Sequence, residues 1–201
     1  QAFEKRNILV TGGAGFIGSH LCERLLHDDA QVICIDNFMN SKPSNIEHIL
    51  SNPDFIFLNV DVNEPFDLAS FRELDRFDIK FQGIQEIYHL ACPTSAQNFD
   101  RYKIDTLRAN SDGTKHILDI ALAHTSKVVV ASSSVVYGPR RFDHFQFKED
   151  DEGVLNHLSP RACYDEGKRF METMCATYAQ VYRLDVKMAR IFRTYGPRLK
   201  I

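Results

Sequence analysis

Short, nearly continuous apolar runs alternate along the chain with longer segments of helical periodicity. Runs such as "ILV", "VICI" and "VVVA" are typical of strands covered on both faces in a parallel sheet. The pattern predicts strands at Asn7–Thr11, Gln31–Asp36, Phe55–Asp61, Glu86–Ala91, Lys127–Ser132 and Asp185–Ile191. It predicts helices at Gly15–His27, Ser44–Ser51, Tyr102–His124 and Pro160–Tyr182. Because right-handed βαβ crossovers place helices on both faces of a sheet, this alternation predicts an α/β fold with a doubly wound parallel sheet.

Composition restricts the classes of partner. No repeat, low-complexity tract or linker-like stretch divides the chain, so residues 1–201 are interpreted as one domain, with Pro139–Ser159 as a polar surface loop near the site. The net charge of −3 provides no basic surface for nucleic acid or anionic membrane. No apolar run approaches the roughly 20 residues that span a bilayer, and no signal peptide precedes the first strand. We therefore expect neither nucleic acid nor membrane as a partner.

The cysteines indicate a reducing compartment. They are odd in number, widely spaced and without a CxxC pair: Cys22, Cys34, Cys92, Cys163 and Cys175. Such a pattern favours buried thiols in a cytoplasmic protein over a disulfide or zinc framework. The histidines form no HExxH motif, and the serines near residue 133 lack the G-x-S-x-G turn of a hydrolase. The sequence therefore predicts no metal site.

A glycine-rich turn follows the first predicted strand, in "VTGGAGFIGSHLCERLL". Gly13, Gly15 and Gly18 satisfy G-x-G-x-x-G, in which glycines allow close approach of a pyrophosphate to the N-terminus of the next helix. Asp36 ends the second strand, where its carboxylate can accept hydrogen bonds from both adenosine ribose hydroxyls and repel a 2′-phosphate. The alternative is a glycine turn without ligand. The combination predicts a Rossmann domain that binds NAD in preference to NADP.

The segment "SPRACYDEGKRF" places a phenol and an ammonium, those of Tyr164 and Lys168, one turn apart on the same helix face. A solvated helix can carry such a pair by chance. Together with "TGGAGFIG", however, the pair resembles the extended short-chain dehydrogenase/reductase superfamily, and within it the NAD-dependent nucleotide-sugar epimerases, dehydratases and decarboxylases. The motifs "DNF", "NIEHIL", "IYHLACP", "SPRACYDEGKR" and "ARIF-TYGPR" are most similar to the UDP-glucuronate decarboxylases.

The resemblance covers essentially the whole chain. It implies a nucleotide-sugar substrate, UDP-linked as in the UDP-glucuronate decarboxylases, and a homodimer formed through the helices at 102–124 and 160–182. It also implies a substrate-binding lobe after residue 201.

The resemblance also implies individual roles. Tyr164 would be the catalytic base, Lys168 its partner at the nicotinamide ribose, and Ser133 the donor to the sugar O4. A nearby ammonium and the positive nicotinamide ring would both lower the phenol pKa from its usual value of about 10. The cofactor positions are Gly12, Gly13, Gly15, Phe16, Ile17, Gly18, Asp36, Asn37, Asp61, Val62, Leu90, Ala91, Cys92, Tyr164 and Lys168. The substrate positions are Ser133, Ser134 and Arg193.

Two further positions carry alternatives. Asn110 resembles the family residue that interrupts a helix near the site, or it is an exposed polar residue. Cys92 lies beside the implied cofactor, and we interpret its thiol as packing rather than as a reactive group.

The implied reaction begins with oxidation at C4 of the sugar. The resulting 4-ketone makes a C6 carboxylate a β-keto acid, which loses CO2 readily, and the hydride then returns from NADH. Val135 stands where decarboxylases and dehydratases carry Glu, which counts against both reactions, and Ser134 stands where dehydratases carry Asp; "SSSVVYG" is closer to the epimerase version. Arg193 replaces the family's Asn and is a bidentate phosphate clamp, a sign of a changed substrate, or a surface cation. We therefore keep a 4-epimerase and a catalytically inactive NAD-binding module as alternatives to the decarboxylase.

Overall fold

Six parallel strands form one sheet in the computed structural model, which describes residues 5–94, 101–139 and 146–199. The strand order is β3-β2-β1-β4-β5-β6, and every neighbouring pair is parallel. Their bounds are β1 Asn7–Thr11, β2 Gln31–Asp36, β3 Phe55–Asn59, β4 Glu86–His89, β5 Lys127–Ser133 and β6 Val186–Ile191. This confirms the doubly wound α/β sheet, and every predicted strand is present to within two residues at either end.

Helices cover both faces of the sheet. Their bounds are α1 Phe16–His27, α2 Ile79–Gln82, α3 Lys103–Arg108, α4 Thr114–His124 and α5 Ala162–Tyr182. Cys22 and Leu25 of α1 belong to the core on one face, whereas Ile117 of α4 and Met171 of α5 belong to the core on the other. The near-continuous apolar runs of β1 and β2 follow from this arrangement, because these strands are buried from both sides.

The predicted helix at Ser44–Ser51 is wrong. The segment instead forms two single 3₁₀ turns, at Pro43–Asn45 and Glu47–Ile49. Between them Ile46 leaves helical geometry, with φ at −122°. The buried side-chain amide of Asn45 donates to the carbonyl oxygen of Ala14 at 2.8 Å, so the segment is held by the glycine loop. This tertiary hydrogen bond fixes the local path of the chain.

The predicted helix at Tyr102–His124 is present but interrupted. A π-helical segment, Ala109–Gly113, separates α3 from α4. Single π turns inside helices are frequent at functional sites because they re-aim side chains. Asn110 lies in this segment and is 1% exposed, so the interpretation of Asn110 as an exposed polar residue is wrong and the helix interruption is confirmed.

Several connections differ from the sequence pattern. The segment between β3 and β4 contains 3₁₀ turns at Leu68–Ser70 and Arg72–Phe77 and the short α2, none of which the periodicity indicates. In the predicted loop Pro139–Ser159, residues 140–145 lie outside the described residues, and 146–159 contain neither helix nor strand. The strand order reverses between β1 and β4, and such a switch point opens a crevice at the carboxyl ends of the strands.

Candidate active site

A cleft of about 1050 Å³ lies along the carboxyl ends of the strands. It is lined by the glycine loop, by the ends of β2, β4 and β5, and by the N-terminal part of α5. Every predicted cofactor and substrate position lines this cleft except Gly13. The chain thus brings together residues that are far apart in sequence, while the role of each remains a prediction.

The glycine loop is shaped by close backbone contacts. Gly12 has φ at +69°, and a Cβ there would lie 2.8 Å from the backbone nitrogen of Ala91. A Cβ at Gly18 would lie 2.7 Å from the Cα of Gly13 and closer still to the carbonyl oxygen of Gly12. Gly15 precedes α1, and no side chain among the described residues caps this helix end. The first-turn N–H groups of α1 therefore remain available to an anion in the cleft.

Gly13 lies beneath the loop and has a packing role. A Cβ at this position would collide with the sulfur of Cys34 and lie 3.2 Å from that of Cys22. Both thiols are fully buried, and their mutual hydrogen bond, together with burial, raises the pKa of Cys34. Gly13 is therefore required for packing under the loop, and it does not line the cleft.

Asp36 organises the loop as well as lining the cleft. Its two carboxylate oxygens accept hydrogen bonds from the backbone N–H groups of Ala14, at 3.0 Å, and Phe38, at 2.8 Å. The hydroxyl of Ser41 donates to the same carboxylate at 2.7 Å. A carboxylate can accept about four hydrogen bonds, so capacity remains for a ligand hydroxyl.

Tyr164, Lys168 and Ser133 meet at the opposite end of the cleft. Tyr164 is 9% exposed and Lys168 is 3% exposed. The ammonium of Lys168 donates to the carbonyl oxygen of Ala131 at 2.8 Å and lies 5.8 Å from the centroid of the Tyr164 ring. The hydroxyl of Ser133 hydrogen-bonds the phenol oxygen of Tyr164. Helical spacing and the end of β5 thus create a compact phenol–hydroxyl–ammonium group.

We expected Lys168 to lower the pKa of Tyr164, and for the protein without a bound cofactor this expectation is wrong. Burial, the largest cause, raises the pKa of Tyr164 to about 12, and the hydrogen bond from Ser133 opposes this only in part. The ammonium of Lys168 is instead bound to a backbone carbonyl of β5. A phenolate here therefore requires a positive charge in addition to those of the described residues.

The π-helical segment brings Asn110 beside the cleft. Its side-chain nitrogen donates to the carbonyl oxygen of Thr106 at 2.8 Å and to the sulfur of Cys92 at 3.3 Å. Its side-chain oxygen is buried and has no hydrogen-bond partner among the described residues. A Cβ at Gly167 would lie 3.1 Å from the Asn110 amide, so the absence of a side chain there lets α5 approach the π segment. Cys92 is a half-buried free thiol, and its assignment to packing rather than to reactivity remains a prediction.

Two positions that depart from the family pattern also face the cleft. Val135 lies in the 3₁₀ turn Ser134–Tyr137 directly after β5, and its side chain has no acid or base function. Arg193 is exposed on the cleft rim, a position compatible with a phosphate clamp and with a surface cation. The wall near Ser133 is therefore apolar where dehydratases carry a carboxylate.

Sequence reasoning missed several residues of the site. They are Asn45 under the glycine loop, the buried His89, the Glu172–Arg190 pair behind Ser133, and the aromatic rings of Phe147 and Phe192. Only Glu172 left a sequence signal, because it continues the four-residue spacing of Tyr164 and Lys168. The others reach the site through packing of distant segments.

His89 lies at the end of β4 between two threonine hydroxyls. Its Nδ1 is 2.7 Å from the hydroxyl of Thr11, and its Nε2 is 3.3 Å from that of Thr114. Burial, with a smaller contribution from the charge of Lys168, lowers the pKa of His89 to about 3. The imidazole is therefore neutral and joins β1, β4 and α4.

We expect His89 to make the fold acid-sensitive. The unfolded state binds a proton at His89 below pH 6.5 whereas the folded state does not, so the free energy of unfolding falls as the pH drops from about 6.5 toward 3. The loss between about pH 7.5 and about pH 5 should be on the order of 2 kcal/mol. Urea unfolding at both pH values should show a smaller loss for His89→Gln. An equal loss in the two proteins would contradict this assignment.

The described ranges of the chain also bear on metal ions and membranes. They contain no cluster of three or more His, Cys, Asp or Glu side chains that could hold a metal ion. None of their helices combines the length and apolar character needed to cross a membrane. All five cysteines are free thiols.

Comparison with known proteins adds independent findings. A family model described as the NAD dependent epimerase/dehydratase family matches residues 8–200. The chain is 41% identical to UDP-glucuronic acid decarboxylase 1 of Xenopus tropicalis, over 98% of its own length and 43% of that protein. It is 39% identical to UDP-glucuronic acid decarboxylase 1 of Arabidopsis thaliana, over 98% of its own length and 41% of that protein. The chain thus spans less than half the length of these relatives.

Solved structures show the same fold. A UDP-glucuronic acid 4-epimerase variant from Bacillus cereus, bound to a fluorinated UDP-glucuronic acid and NAD, superposes with a TM-score of 0.78 at 30% identity. The match covers 96% of this chain and 58% of that one. A dTDP-glucose 4,6-dehydratase from Bacillus anthracis in complex with NAD superposes with a TM-score of 0.74 at 27% identity, covering 96% and 57% of the two chains.

Proposed function

Because this chain belongs to the NAD dependent epimerase/dehydratase family, we propose that its cleft binds NAD and that the full-length protein decarboxylates a UDP-linked hexuronate, UDP-glucuronate, through a 4-keto sugar. The observation that carries the proposal is the meeting of Tyr164, Lys168 and Ser133 at one end of the cleft whose other end is the glycine loop. The identity to UDP-glucuronic acid decarboxylases supports the choice of substrate.

The cleft residues fit a dinucleotide. The glycine loop exposes backbone where a Cβ would fill the space, and the N-terminus of α1 offers N–H groups to a pyrophosphate. Asp36 retains acceptor capacity for a ribose hydroxyl and disfavours a 2′-phosphate, which supports NAD over NADP. Asp61 and Val62 flank the adenine in this proposal, and Leu90, Ala91 and Cys92 lie along the cofactor.

Proton movement is assigned to Tyr164. Its phenol oxygen accepts the proton of the sugar O4, while Ser133, next to the phenol, holds O4 by a hydrogen bond. Lys168 donates to a carbonyl oxygen of β5 and so keeps the helix of Tyr164 against that strand. When bound, oxidised NAD supplies the hydride acceptor for C4 and a positive charge that favours the phenolate. Because the pKa of Tyr164 is raised when no cofactor is present, we expect Tyr164 to act as a base only when the cleft is occupied.

Loss of CO2 makes small demands on the protein once C4 is a ketone. The electron pair of the C5–C6 bond moves into the C4 carbonyl as CO2 leaves, and C5 then takes up a proton from water. Return of the hydride to C4 would restore the hydroxyl, with Tyr164 giving back the proton that it took from O4. Breaking this bond makes smaller acid/base demands than dehydration, so Val135 does not exclude decarboxylation, but the absence of the Glu that the decarboxylase pattern carries at this position counts against it. Elimination of water across C5–C6 does need positioned acid and base groups, which disfavours a dehydratase.

A 4-epimerase is the second candidate, since Val135 and "SSSVVYG" resemble the epimerase motif. Incubation of the full-length protein with NAD and UDP-glucuronate separates the possibilities. We expect release of CO2 and a UDP-pentose product. Formation of UDP-galacturonate would instead establish the epimerase, and NAD binding without turnover of either uronate would establish an inactive binding module.

We also propose a homodimer formed through α3 and α5. Ile104, Leu107 and Phe170 on these helices are 67%, 42% and 51% exposed, and Leu107 and Phe170 line a groove of about 460 Å³ that includes Gly167. Exposed apolar patches of this kind are typical of protein interfaces. Sedimentation of the full-length protein and of Phe170→Glu tests this assembly. The domain assignment, residues 1–201 as the dinucleotide-binding unit in a reducing compartment, remains a prediction.

A further inference from the structure

Three successive turns of α5 are attached to the end of β5 by polar contacts. The phenol of Tyr164 forms a hydrogen bond with the hydroxyl of Ser133, and the ammonium of Lys168 donates to the carbonyl oxygen of Ala131. One turn further, the carboxylate of Glu172 accepts a hydrogen bond from the hydroxyl of Ser132. The proposed base and its partner are therefore the first two members of a stripe whose third member, Glu172, has no role in the reaction described above.

Glu172 is held in turn by Arg190 of β6. The Nε of Arg190 lies 3.0 Å from one carboxylate oxygen and its Nη2 lies 2.8 Å from the other, which is a bidentate pair. Arg190 is the register partner of Ser132 across β5 and β6, so both residues reach Glu172 from adjacent strands. The side chain of Glu172 is only 12% exposed, and removal of its cation would leave a largely buried charge without an ion-pair partner.

The same guanidinium also contacts the segment 146–154, which we call the strap. Its Nη1 donates to the carbonyl oxygen of Glu149 at 2.7 Å. The strap packs closely on the 3₁₀ turn after β5, because a Cβ at Gly153 would lie 2.6 Å from the carbonyl carbon of Tyr137. Arg169 of α5 holds the other end of the strap by donating to the carbonyl oxygen of Gly153 at 3.0 Å.

The strap carries an aromatic ring into the cleft. Phe147 lines the cleft and stacks on Tyr137, with ring centroids 4.9 Å apart and planes 8° from parallel. The guanidinium of Arg190 lies 4.8 Å from the centroid of the same Tyr137 ring. Phe192, which follows β6 and also lines the cleft, lies 6.2 Å from Tyr137. One arginine thus contacts both the catalytic helix's carboxylate and the ring that supports this aromatic wall.

We propose that Arg190 is a positioning residue for the reaction: through Glu172 it sets α5 on the end of β5, and through Glu149 and Tyr137 it holds Phe147 at the sugar end of the cleft. This inference rests on the proposed function, because it assigns Tyr164 and Ser133 to the chemistry. A lysine at position 190 keeps the charge but loses the planar fork that binds Glu172, Glu149 and the Tyr137 ring together.

The test compares Arg190→Gln and Arg190→Lys with the wild type in the full-length protein. Small misplacements of catalytic groups cost large factors in rate, so we expect kcat of Arg190→Gln to fall about 10- to 100-fold while NAD affinity stays within about twofold. Arg190→Lys should retain an intermediate kcat. Arg24→Gln is the matched control, since Arg24 forms an exposed ion pair with Asp28 on α1 at 2.9 Å, and its kcat should be unchanged.

Limited proteolysis supplies a readout that does not depend on turnover. Lys148 is exposed and immediately precedes Glu149, so release of the strap should accelerate tryptic cleavage after Lys148 by about fivefold or more in Arg190→Gln, at a temperature where the fold remains intact. Mass spectrometry identifies the cleavage site. If Arg190→Gln does not fold, Arg190→Lys carries both measurements.

Each outcome is decisive. A variant with wild-type kcat and wild-type cleavage after Lys148, but a lower melting temperature, would reduce Arg190 to a structural residue and overturn the proposal. Equal losses of NAD affinity and kcat would also overturn it, because the glycine loop lies outside the contacts of Arg190. If the wild type turns over no nucleotide sugar, the proposed function fails, and the cleavage rate alone then decides whether Arg190 holds the strap.

Discussion

Replacing Tyr164 with phenylalanine is expected to lower kcat of the full-length protein with UDP-glucuronate by about 10³-fold, since positioned general bases contribute roughly 10²- to 10⁴-fold. The substitution removes only the phenol oxygen, which is hydrogen-bonded to Ser133 in a site where Tyr164 is 9% exposed. The ring and its packing on α5 remain. NAD affinity should therefore stay within about threefold, and the free energy of unfolding should change by about 1 kcal/mol.

The measurement is sugar-dependent NAD reduction under single-turnover conditions, alongside CO2 release. Tyr178→Phe is the matched control, because Tyr178 lies on the same helix and its phenol hydrogen-bonds the carboxylate of Asp119 at 2.7 Å on the protein surface. Its kcat should equal that of the wild type. Unchanged NAD reduction in Tyr164→Phe would remove Tyr164 from the chemistry and leave the cleft as a binding site whose base is elsewhere.

Gly18→Ala is expected to reduce NAD affinity by about 100-fold, or to destabilise the protein by about 1–3 kcal/mol, because an added methyl group overpacks a rigid site. The new Cβ would lie 2.7 Å from the Cα of Gly13, 2.9 Å from the carbonyl carbon of Gly12, and closer still to the Gly12 oxygen. All three are backbone atoms, so no side-chain rotation can relieve the clash. The loop must move away from α1, and the N-terminal N–H groups of the helix then lose their position relative to the pyrophosphate.

Gly83→Ala separates this effect from a general cost of replacing glycine. Gly83 lies outside the cleft at the end of α2 with φ at +71°, and the nearest atom to its added Cβ, Nδ1 of His124, is 3.5 Å away. Its backbone, with φ at +71° and ψ at −164°, lies in a region essentially restricted to glycine, so the substitution should cost about 1–3 kcal/mol of stability with NAD affinity unchanged. Titration of NAD into both variants, together with urea unfolding, decides the matter. Wild-type affinity in Gly18→Ala would show that the loop does not bind the pyrophosphate in the proposed way.

The sequence by itself determined the architecture and most of the cleft, because these depend on local regularities of the backbone. Strands buried on both faces need continuous apolar runs, and the glycine spacing follows from a turn between β1 and α1. The four-residue interval between Tyr164 and Lys168 places both side chains on one face of any helix. These relations hold whatever surrounds them, so the glycine loop and the Tyr164 and Lys168 pair could be predicted from local spacing, whereas positions such as Ser133 came only from the resemblance to the family.

Only the tertiary structure decided features that arise where distant segments meet. The direction of the Tyr164 pKa shift depends on the burial of its side chain and on the hydrogen bond of Lys168 to β5. The four-residue interval between Tyr164 and Lys168 encodes neither. The 3₁₀ turns that replace the predicted helix at Ser44–Ser51 depend on the contact of Asn45 with the glycine loop. Arg190 and Glu149 are separated by 41 residues and become partners only when the strap lies on β6. Burial and long-range contact belong to the packed molecule, and the free energies they contribute therefore have no counterpart in the local pattern of the chain.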